Sequence, residues 1–230
     1  MREKNSKTYT LAIETTGKIC GVAICDSAKV LYESNLNLGL NHSVTLFNNI
    51  KDGVDRLKIN FKDIKLIKVS SGPGSFTGIR IGIATAIGIS KPYNTRIEYI
   101  DTLDALSHNI KSNANYILSM IDARSDRVYL GFYENKSYKK IVNDLIININ
   151  DLIMLLNKYF NNKNVLFLLV GDGAVKYKDV FTNLLRIKFK ISNVNNDLAA
   201  GSLILTKGVV SKEPIINYML ASKAERERND

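Results

Sequence analysis

The run Ser70-Ser71-Gly72-Pro73-Gly74-Ser75-Phe76-Thr77-Gly78-Ile79-Arg80-Ile81-Gly82 constrains the fold more than any other stretch of the chain. It follows Leu66-Ile67-Lys68-Val69, an apolar run of strand length. Gly72, Pro73 and Gly74 punctuate a tight turn, and Ser75 stands where a helix N-cap belongs. The pattern predicts a helix over about Phe76–Ser90, stopping ahead of Lys91-Pro92 because the residue before a proline disfavours the helical region. Gly78, Gly82 and Gly88 each cost roughly 1 kcal/mol against alanine in a helix interior, so this composition is unusual. Ile79, Ile83 and Ile87 form one stripe suited to a core. Gly78, Gly82 and Ala86 form a second, about 100° around the helix, and small side chains let another backbone approach closely.

Three readings of this stretch compete. The helix could pack internally on its own sheet, or its second stripe could dock a partner. A Gly-rich turn entering a helix also presents free N–H groups, as phosphate sites do. The stretch matches neither G-x-x-x-x-G-K-[ST] nor G-x-G-x-x-G, which counts against the phosphate reading. The first two stay open.

The rest of the N-terminal part predicts strands at about Thr8–Glu14, Gly21–Cys25 and Val30–Leu36, the last two joined by a hairpin turn at Asp26-Ser27-Ala28-Lys29. A helix is expected from near Asn41–Ser43 to Lys58, with Phe47, Ile50, Val54 and Leu57 as its apolar stripe and Val44 and Leu46 beside it. That stripe is wider than a one-sided surface helix requires. Further on, a helix at Thr102–Leu106 precedes strands at Tyr116–Ile121 and Arg127–Tyr133. A helix at Leu152–Tyr159, a strand at Val165–Val170, a turn at Gly171-Asp172-Gly173, a helix at Val180–Leu185 and a last helix at about Asp197–Lys207 complete the reading.

The central run SSGPGSFTGIRIGIATAIGIS resembles the signature of the TsaB family, bacterial proteins of the pathway that makes threonylcarbamoyladenosine in tRNA. Further matches come in the family's order: LAIETT near the start, NHS at Asn41–Ser43, IDARSDRVYLGFY at Ile121–Tyr133, GDGA at Gly171–Ala174, and Asn217-Tyr218 followed by ASKAERE at Ala221–Glu227. Where relatives often carry an arginine in the tail, this chain has Leu220. The resemblance implies an α/β chain of the actin-like, sugar-kinase-like fold, built as two degenerate repeated halves. The first would be residues 1–100, carrying partner-binding helices. The second would be residues 101–230, with the helix at about 197–207 returning to the first.

Function follows from the same resemblance. It implies a non-catalytic scaffold subunit that binds the catalytic subunit TsaD and, through that pair, the ATPase TsaE. ATP and Mg²⁺ would belong to the complex, and tRNA would be held through it. The partner face would be formed by Val44, Phe47, Phe76, Gly78, Arg80, Gly82 and Ala86. A bare chain would leave those two helices exposed, so a homodimer is expected in isolation. The rival readings are an independent actin-like ATPase or kinase and a glycoprotease-type peptidase.

The residues offer little chemistry of their own. Actin-like kinases place an acid and hydroxyls on the first hairpin to hold a nucleotide, and Glu14-Thr15-Thr16 occupies that place here. Gly171 and Gly173 are the matching candidates in the second half. The chain has two histidines, His42 and His108, and no His-x-x-x-His, so a metal centre is not expected. Ser71 and Ser75 have no motif that brings a histidine to them, which leaves the peptidase reading without a nucleophile–base pair. Asp122 and Arg124, two apart after a strand, predict an ion pair that fixes the turn, the alternative being a groove residue that contacts a partner or a nucleotide phosphate.

Composition sets the outer bounds. At 230 residues the chain could hold one large domain or two small ones, and a 45% hydrophobic share supports a proper core. No apolar run reaches the ~18 residues needed to span a bilayer. The charged start has no signal-peptide core, because Leu11-Ala12-Ile13 is broken by Glu14. Cys20 and Cys25 fall on opposite faces of one predicted strand, which favours free thiols and a cytoplasmic protein. The net charge of +10 invites a nucleic-acid reading, but the basic residues are scattered, as at Lys51, Lys58, Lys62, Lys65 and Lys68.

Overall fold

The computed structural model describes residues 8–27, 29–37, 42–161, 163–192 and 198–219. Met1–Lys7, Ala28, Asn41, Asp197, Leu220 and Ala221–Glu227, on which some sequence expectations rest, lie outside the described residues. By its contacts the chain divides into two units, Met1–Thr102 with Ala199–Asn217, and Leu103–Leu198 with Tyr218–Asp230.

Two strands buried on both faces, β1 (Tyr9–Glu14) and β2 (Cys20–Asp26), and the more exposed β3 (Lys29–Leu36) form an antiparallel set at the start of the first unit. Then α1 (His42–Leu57) leads to β4 (Ile64–Ser70), and α2 (Phe76–Ser90) leads to β5 (Arg96–Ile100). β4 runs parallel to β1, and β5 runs parallel to β4. After α3 (Thr102–Ser107) the pattern recurs. β6 (Tyr116–Asp122), β7 (Arg127–Glu134) and β8 (Lys140–Asn148) form the antiparallel set, followed by α4 (Ile149–Phe160) and β9 (Leu166–Val170). The short helices α5 (Asp172–Lys176) and α6 (Lys178–Leu184) precede β10 (Lys188–Ile191), which is parallel to β9. The chain then re-enters the first unit with α7 (Ala200–Leu205) and β11 (Val209–Val210).

The sheets read β11-β5-β4-β1-β2-β3 and β10-β9-β6-β7-β8. Setting β11 aside, each unit has its fifth, fourth, first, second and third strands in that order, with the same directions. This duplicated order is the actin-like, sugar-kinase-like fold. In the first unit, Leu11, Ile13, Val22 and Ile24 meet Leu46, Ile50 and Val54 of α1 and Ile79, Ile83 and Ala86 of α2. In the second, Leu118, Met120, Val128 and Leu130 meet Leu152, Ile153 and Leu156 of α4 and Phe181 of α6. Cys20 and Cys25 are buried and free. Among the described residues, no helix is long and apolar enough to cross a membrane.

The returning segment is fastened electrostatically. The first amides of α7 donate to Asn35 Oδ1 at 3.0 Å and Glu33 Oε1 at 2.9 Å, so acceptors face the positive end of the helix dipole. At its other end Lys68 Nζ donates to the carbonyls of Ile204 (3.2 Å) and Thr206 (2.7 Å). Glu98, 3.6 Å from Lys68, accepts from the Gly208 amide at 2.6 Å. β11 adds two antiparallel residues to the edge of β5, and the Asn217 amide donates to the Ser71 carbonyl at 2.8 Å.

The β6–β7 turn carries three successive left-handed residues, Arg124, Ser125 and Asp126, with φ of 63°, 49° and 54°. For an L-residue that region costs roughly 1–2 kcal/mol. Ser125→Gly, which removes an exposed side chain, is expected to stabilise the protein by about 1 kcal/mol and to raise its melting temperature by about 2–4 °C. A thermal melt followed by circular dichroism checks this.

Candidate functional site

The first unit presents an apolar two-helix face. α1 buries Leu46, Ile50 and Val54, which leaves Val44 (71% exposed) and Phe47 (50%) on the opposite side. The Phe47 ring lies parallel to that of Phe61, centroids 6.2 Å apart. Beside them is a groove of about 300 Å³ lined by Phe47, Phe61, Gly88, Ile89, Pro92 and Tyr93. The outward side of α2 shows Thr77, Arg80, Ala84 and Gly88. The Arg80 guanidinium sits 3.8 Å above the ring of half-buried Phe76, which screens that ring from water.

The small-residue stripe of α2 faces inward. Gly78, Gly82 and Ala86 are buried. A Cβ on Gly78 would collide with the Thr15 carbonyl oxygen, and one on Gly82 with Thr15 Oγ1, with methyls of Val69 and Ile13 at 3.5 and 3.7 Å. These glycines let α2 settle onto the end of β1. Gly78, Gly82 and Ala86 are therefore corrected from partner-facing to internal positions, whereas Val44, Phe47 and Arg80 lie on the open face. Groove residues Phe61, Gly88 and Tyr93 escaped the sequence reading. The available signal was Gly88 itself, a helical glycine lying off the Gly78–Gly82 stripe.

The end of β1 is closed on itself. Glu14 is fully buried, and its Oε1 accepts from the Thr16 amide (2.5 Å) and Thr16 Oγ1 (2.6 Å). Burial pushes its carboxyl up to about 7, against which the Thr16 and Ser70 hydroxyls and the backbone of Thr16 and Gly17 pull it down. Thr15 Oγ1 donates to the Gly78 carbonyl at 2.7 Å, and the Ser75 amide donates to the Thr16 carbonyl at 2.7 Å. Ser75 caps α2 by accepting from the Gly78 amide at 3.2 Å. His42, buried at the start of α1, holds the Gly17 carbonyl through Nε2 at 3.0 Å.

In the second unit Gly171, at φ 101°, brings the chain against β6, where a Cβ would strike the Met120 carbonyl. A Cβ on Gly173 would lie 3.1–3.2 Å from Val128, Ile121 and Met120. The expected turn at these glycines leads directly into α5, and Asp172 Oδ1 accepts from the Asp122 amide at 3.0 Å.

The candidate nucleotide contacts Glu14, Thr15, Thr16, Gly171 and Gly173 are thus committed to their own units. Within the first unit the Glu14 carboxyl and the Thr15 and Thr16 hydroxyls are all taken up in internal hydrogen bonds. The Ser71 hydroxyl donates to the Ile100 carbonyl at 3.0 Å, so it and the capping Ser75 are both occupied. The predicted Asp122–Arg124 ion pair is corrected. Asp122 pairs with Lys176 at 2.9 Å and accepts from the Arg124 backbone amide, because the left-handed turn carries the Arg124 side chain away from a strand's two-residue repeat.

Comparison with known proteins gives this geometry a family. A family model described as "TsaD: tRNA N6-adenosine threonylcarbamoyltransferase" matches residues 38–224. A curated relative in Bacillus subtilis (strain 168), the tRNA threonylcarbamoyladenosine biosynthesis protein TsaB, is 28% identical over 180 residues, 77% of this chain and 77% of its own length. The protein of the same name in Buchnera aphidicola subsp. Schizaphis graminum is 32% identical over 173 residues, 73% of this chain and 80% of its own. Among solved structures, a Pseudomonas aeruginosa protein described as similar to peptidase YeaZ superposes with a TM-score of 0.74 at 18% identity, covering 93% of this chain and 100% of that one. YeaZ from Pseudomonas aeruginosa gives 0.71 at 19%, covering 92% and 99%. The structures establish the fold, and the sequence matches establish the kinship: the chain belongs to the TsaB family of tRNA threonylcarbamoyladenosine biosynthesis proteins.

Proposed function

We propose that this chain serves threonylcarbamoyladenosine synthesis as a scaffold, docking the transferase subunit TsaD through the outer face of α1 and α2 and doing no chemistry itself. The observation that carries this is the exposure of Val44 and Phe47 beside an apolar groove. Soluble proteins rarely leave such patches uncovered. The match of residues 38–224 to a family model bearing the transferase's name adds a reason for that partner, since related folds can offer equivalent helix pairs. The self-occupied strand end in the first unit supports the non-catalytic half of the reading. In this account two copies of the chain pair through the same face when TsaD is absent. TsaE joins the assembled pair, and Mg-ATP and tRNA enter with those partners.

The double variant Val44→Asp/Phe47→Asp tests the docking face. Each aspartate would have to lose its water against an apolar partner, and central apolar anchors are worth about 2 kcal/mol or more. Affinity for purified TsaD by titration calorimetry should therefore fall by roughly 30-fold or more. Both side chains are exposed, so the melting temperature should hold. Undiminished binding would remove the face from the proposal, and Mg-ATP turnover by the lone chain would remove its non-catalytic part.

A further inference from the structure

Basic residues that are scattered along the sequence are gathered by the second sheet. Its pairing aligns one end: Tyr116 of β6 faces Glu134 of β7 and Phe167 of β9, Leu166 of β9 faces Lys188 of β10, and Tyr133 of β7 faces Lys140 of β8. The connections at that end carry Lys111 before β6, Lys136 and Lys139 in the β7–β8 turn, Lys163 before β9, and Arg186 and Lys188 where β10 begins. All are exposed. Lys158, in the last turn of α4, has its Nζ 5.4 Å from the ring centroid of exposed Tyr159. Among the described residues none of these cations makes an ion pair. The carboxylates lie elsewhere. Asp122, Asp126, Asp151 and Asp172 belong to the opposite end of the sheet, and Lys140 takes both Asp104 (2.7 Å) and Asp144 (2.6 Å). Among the described residues Glu134 is the acid that the basic end retains, and its carboxylate accepts from the Ser137 hydroxyl.

Side-chain amides, not carboxylates, tie these loops together. Asn115 Oδ1 accepts from the Leu166 amide at 2.8 Å, and Asn135 Nδ2 donates to the carbonyls of Ser112 (2.8 Å) and Ala114 (2.7 Å). Asn157 bridges the Leu184 carbonyl (2.9 Å) and the Arg186 amide (2.7 Å). The rim is thus held in place without being neutralised. Strands about 4.8 Å apart spread five strand ends over roughly 20 Å. A single phosphate needs donors that converge on one point, whereas charges in a row of that length match the repeating phosphates of a polyanion. Asn113, Asn161 and Asn164 stand exposed between the lysines and suit phosphates and 2′-hydroxyls, while Tyr159 offers a face to a base. We propose that this end of the second sheet binds RNA through its phosphate backbone, so that the chain itself holds part of the tRNA. The choice of RNA rests on the tRNA-pathway reading above, but the rim does not depend on the docking face of α1 and α2.

Anisotropy of a fluorescent tRNA transcript, titrated with the full chain at several salt concentrations, tests this. Affinity should fall steeply as salt rises, because each neutralised phosphate releases counterions. The triple variant K136E/K163E/K188E should bind roughly tenfold or more weakly, with a salt slope flatter by about two to three. K29E/K62E/K65E makes the same change of net charge on exposed lysines of the first unit and should bind nearly as the wild type does. A wild-type chain that leaves the tRNA unbound at low salt, equal losses in the two triple variants, or capture by phosphatidylserine vesicles in place of tRNA would overturn the proposal. Lysine acetylation of the unmodified protein needs no variant to fold. Bound tRNA should shield Lys136, Lys139, Lys163 and Lys188 but not Lys29 or Lys62, and uniform shielding would overturn the rim. Val44→Asp/Phe47→Asp should still bind tRNA and K136E/K163E/K188E should still bind TsaD, so the rim and the docking face fail separately. The reverse pattern would count against the rim.

Discussion

Gly82→Leu is expected to destabilise the first unit severely rather than to weaken an interface. The new Cβ would fall on Thr15 Oγ1, and the rest of the side chain would have to enter the space already held by Val69 and Ile13. Overpacking of this kind costs about 1–3 kcal/mol. Displacing Thr15 also breaks its bond to the Gly78 carbonyl, and the buried hydroxyl donor left unsatisfied adds about 1–3 kcal/mol. Leucine's better helix propensity returns only about 1 kcal/mol. A net loss of about 1–5 kcal/mol corresponds to a fall in melting temperature of roughly 2–20 °C in a chain of this size. Gly88→Ala is the matching control, because no atom lies within 4 Å of its Cβ position. That variant should gain about 1 kcal/mol of helix propensity and melt slightly higher. If Gly82→Leu melts like the wild type, the stripe does not carry the contact with β1.

Lys68→Ala should be about as damaging, by a different route. Lys68 and Glu98 are each 9% exposed, and their charges neutralise each other while their hydrogen bonds go to the returning segment. Removing the lysine leaves the Thr206 and Ile204 carbonyls without their donor and Glu98 without its counter-charge. Breaking one side of a buried pair costs about 3–5 kcal/mol. Replacing both with methionine removes the uncompensated charge and should recover part of that loss, though the backbone groups stay unpaired. Urea unfolding of Lys68→Met, Glu98→Met and the double variant measures the coupling. Additive effects would mean that the two charges do not act together.

Much of this architecture could be read from local pattern. The boundaries of α2 follow from Ser75 as a cap and from Pro92, and both are purely local signals. The strands that stand out as alternating or continuous apolar runs, β1 to β4, β6, β7 and β9, were equally legible. β5, β8, β10 and β11 were not. β10 and β11 are only four and two residues long, and β8 carries Asn143 and Asp144 opposite an irregular stretch of β7. The direction of the glycine stripe was also hidden. α2 is apolar around most of its girth, so periodicity could not separate an inward face from an outward one. That choice is made by Thr15, sixty-three residues from Gly78 in sequence. The same holds for Glu14, whose burial depends on elements that close over it from β2, β4 and α7. The exposed anchors were half-visible, since Val44 and Phe47 made the stripe of α1 too wide for a single buried face.

The return of Ala199–Asn217 to the first unit also orders the protein's birth. Lys68 must wait for Thr206, 138 residues later, before its charge is matched by the groups it finally holds. All five strands of the second sheet, β6 to β10, will have been translated before that moment. As it emerges from the ribosome, the half begun first therefore stays incomplete until the second sheet has been made. Until then it must keep the edge of β5 and the places of Lys68 and Glu98 open to water. A chain cut short before residue 206 would hold all five strands of the second sheet but a first sheet still without its clamp.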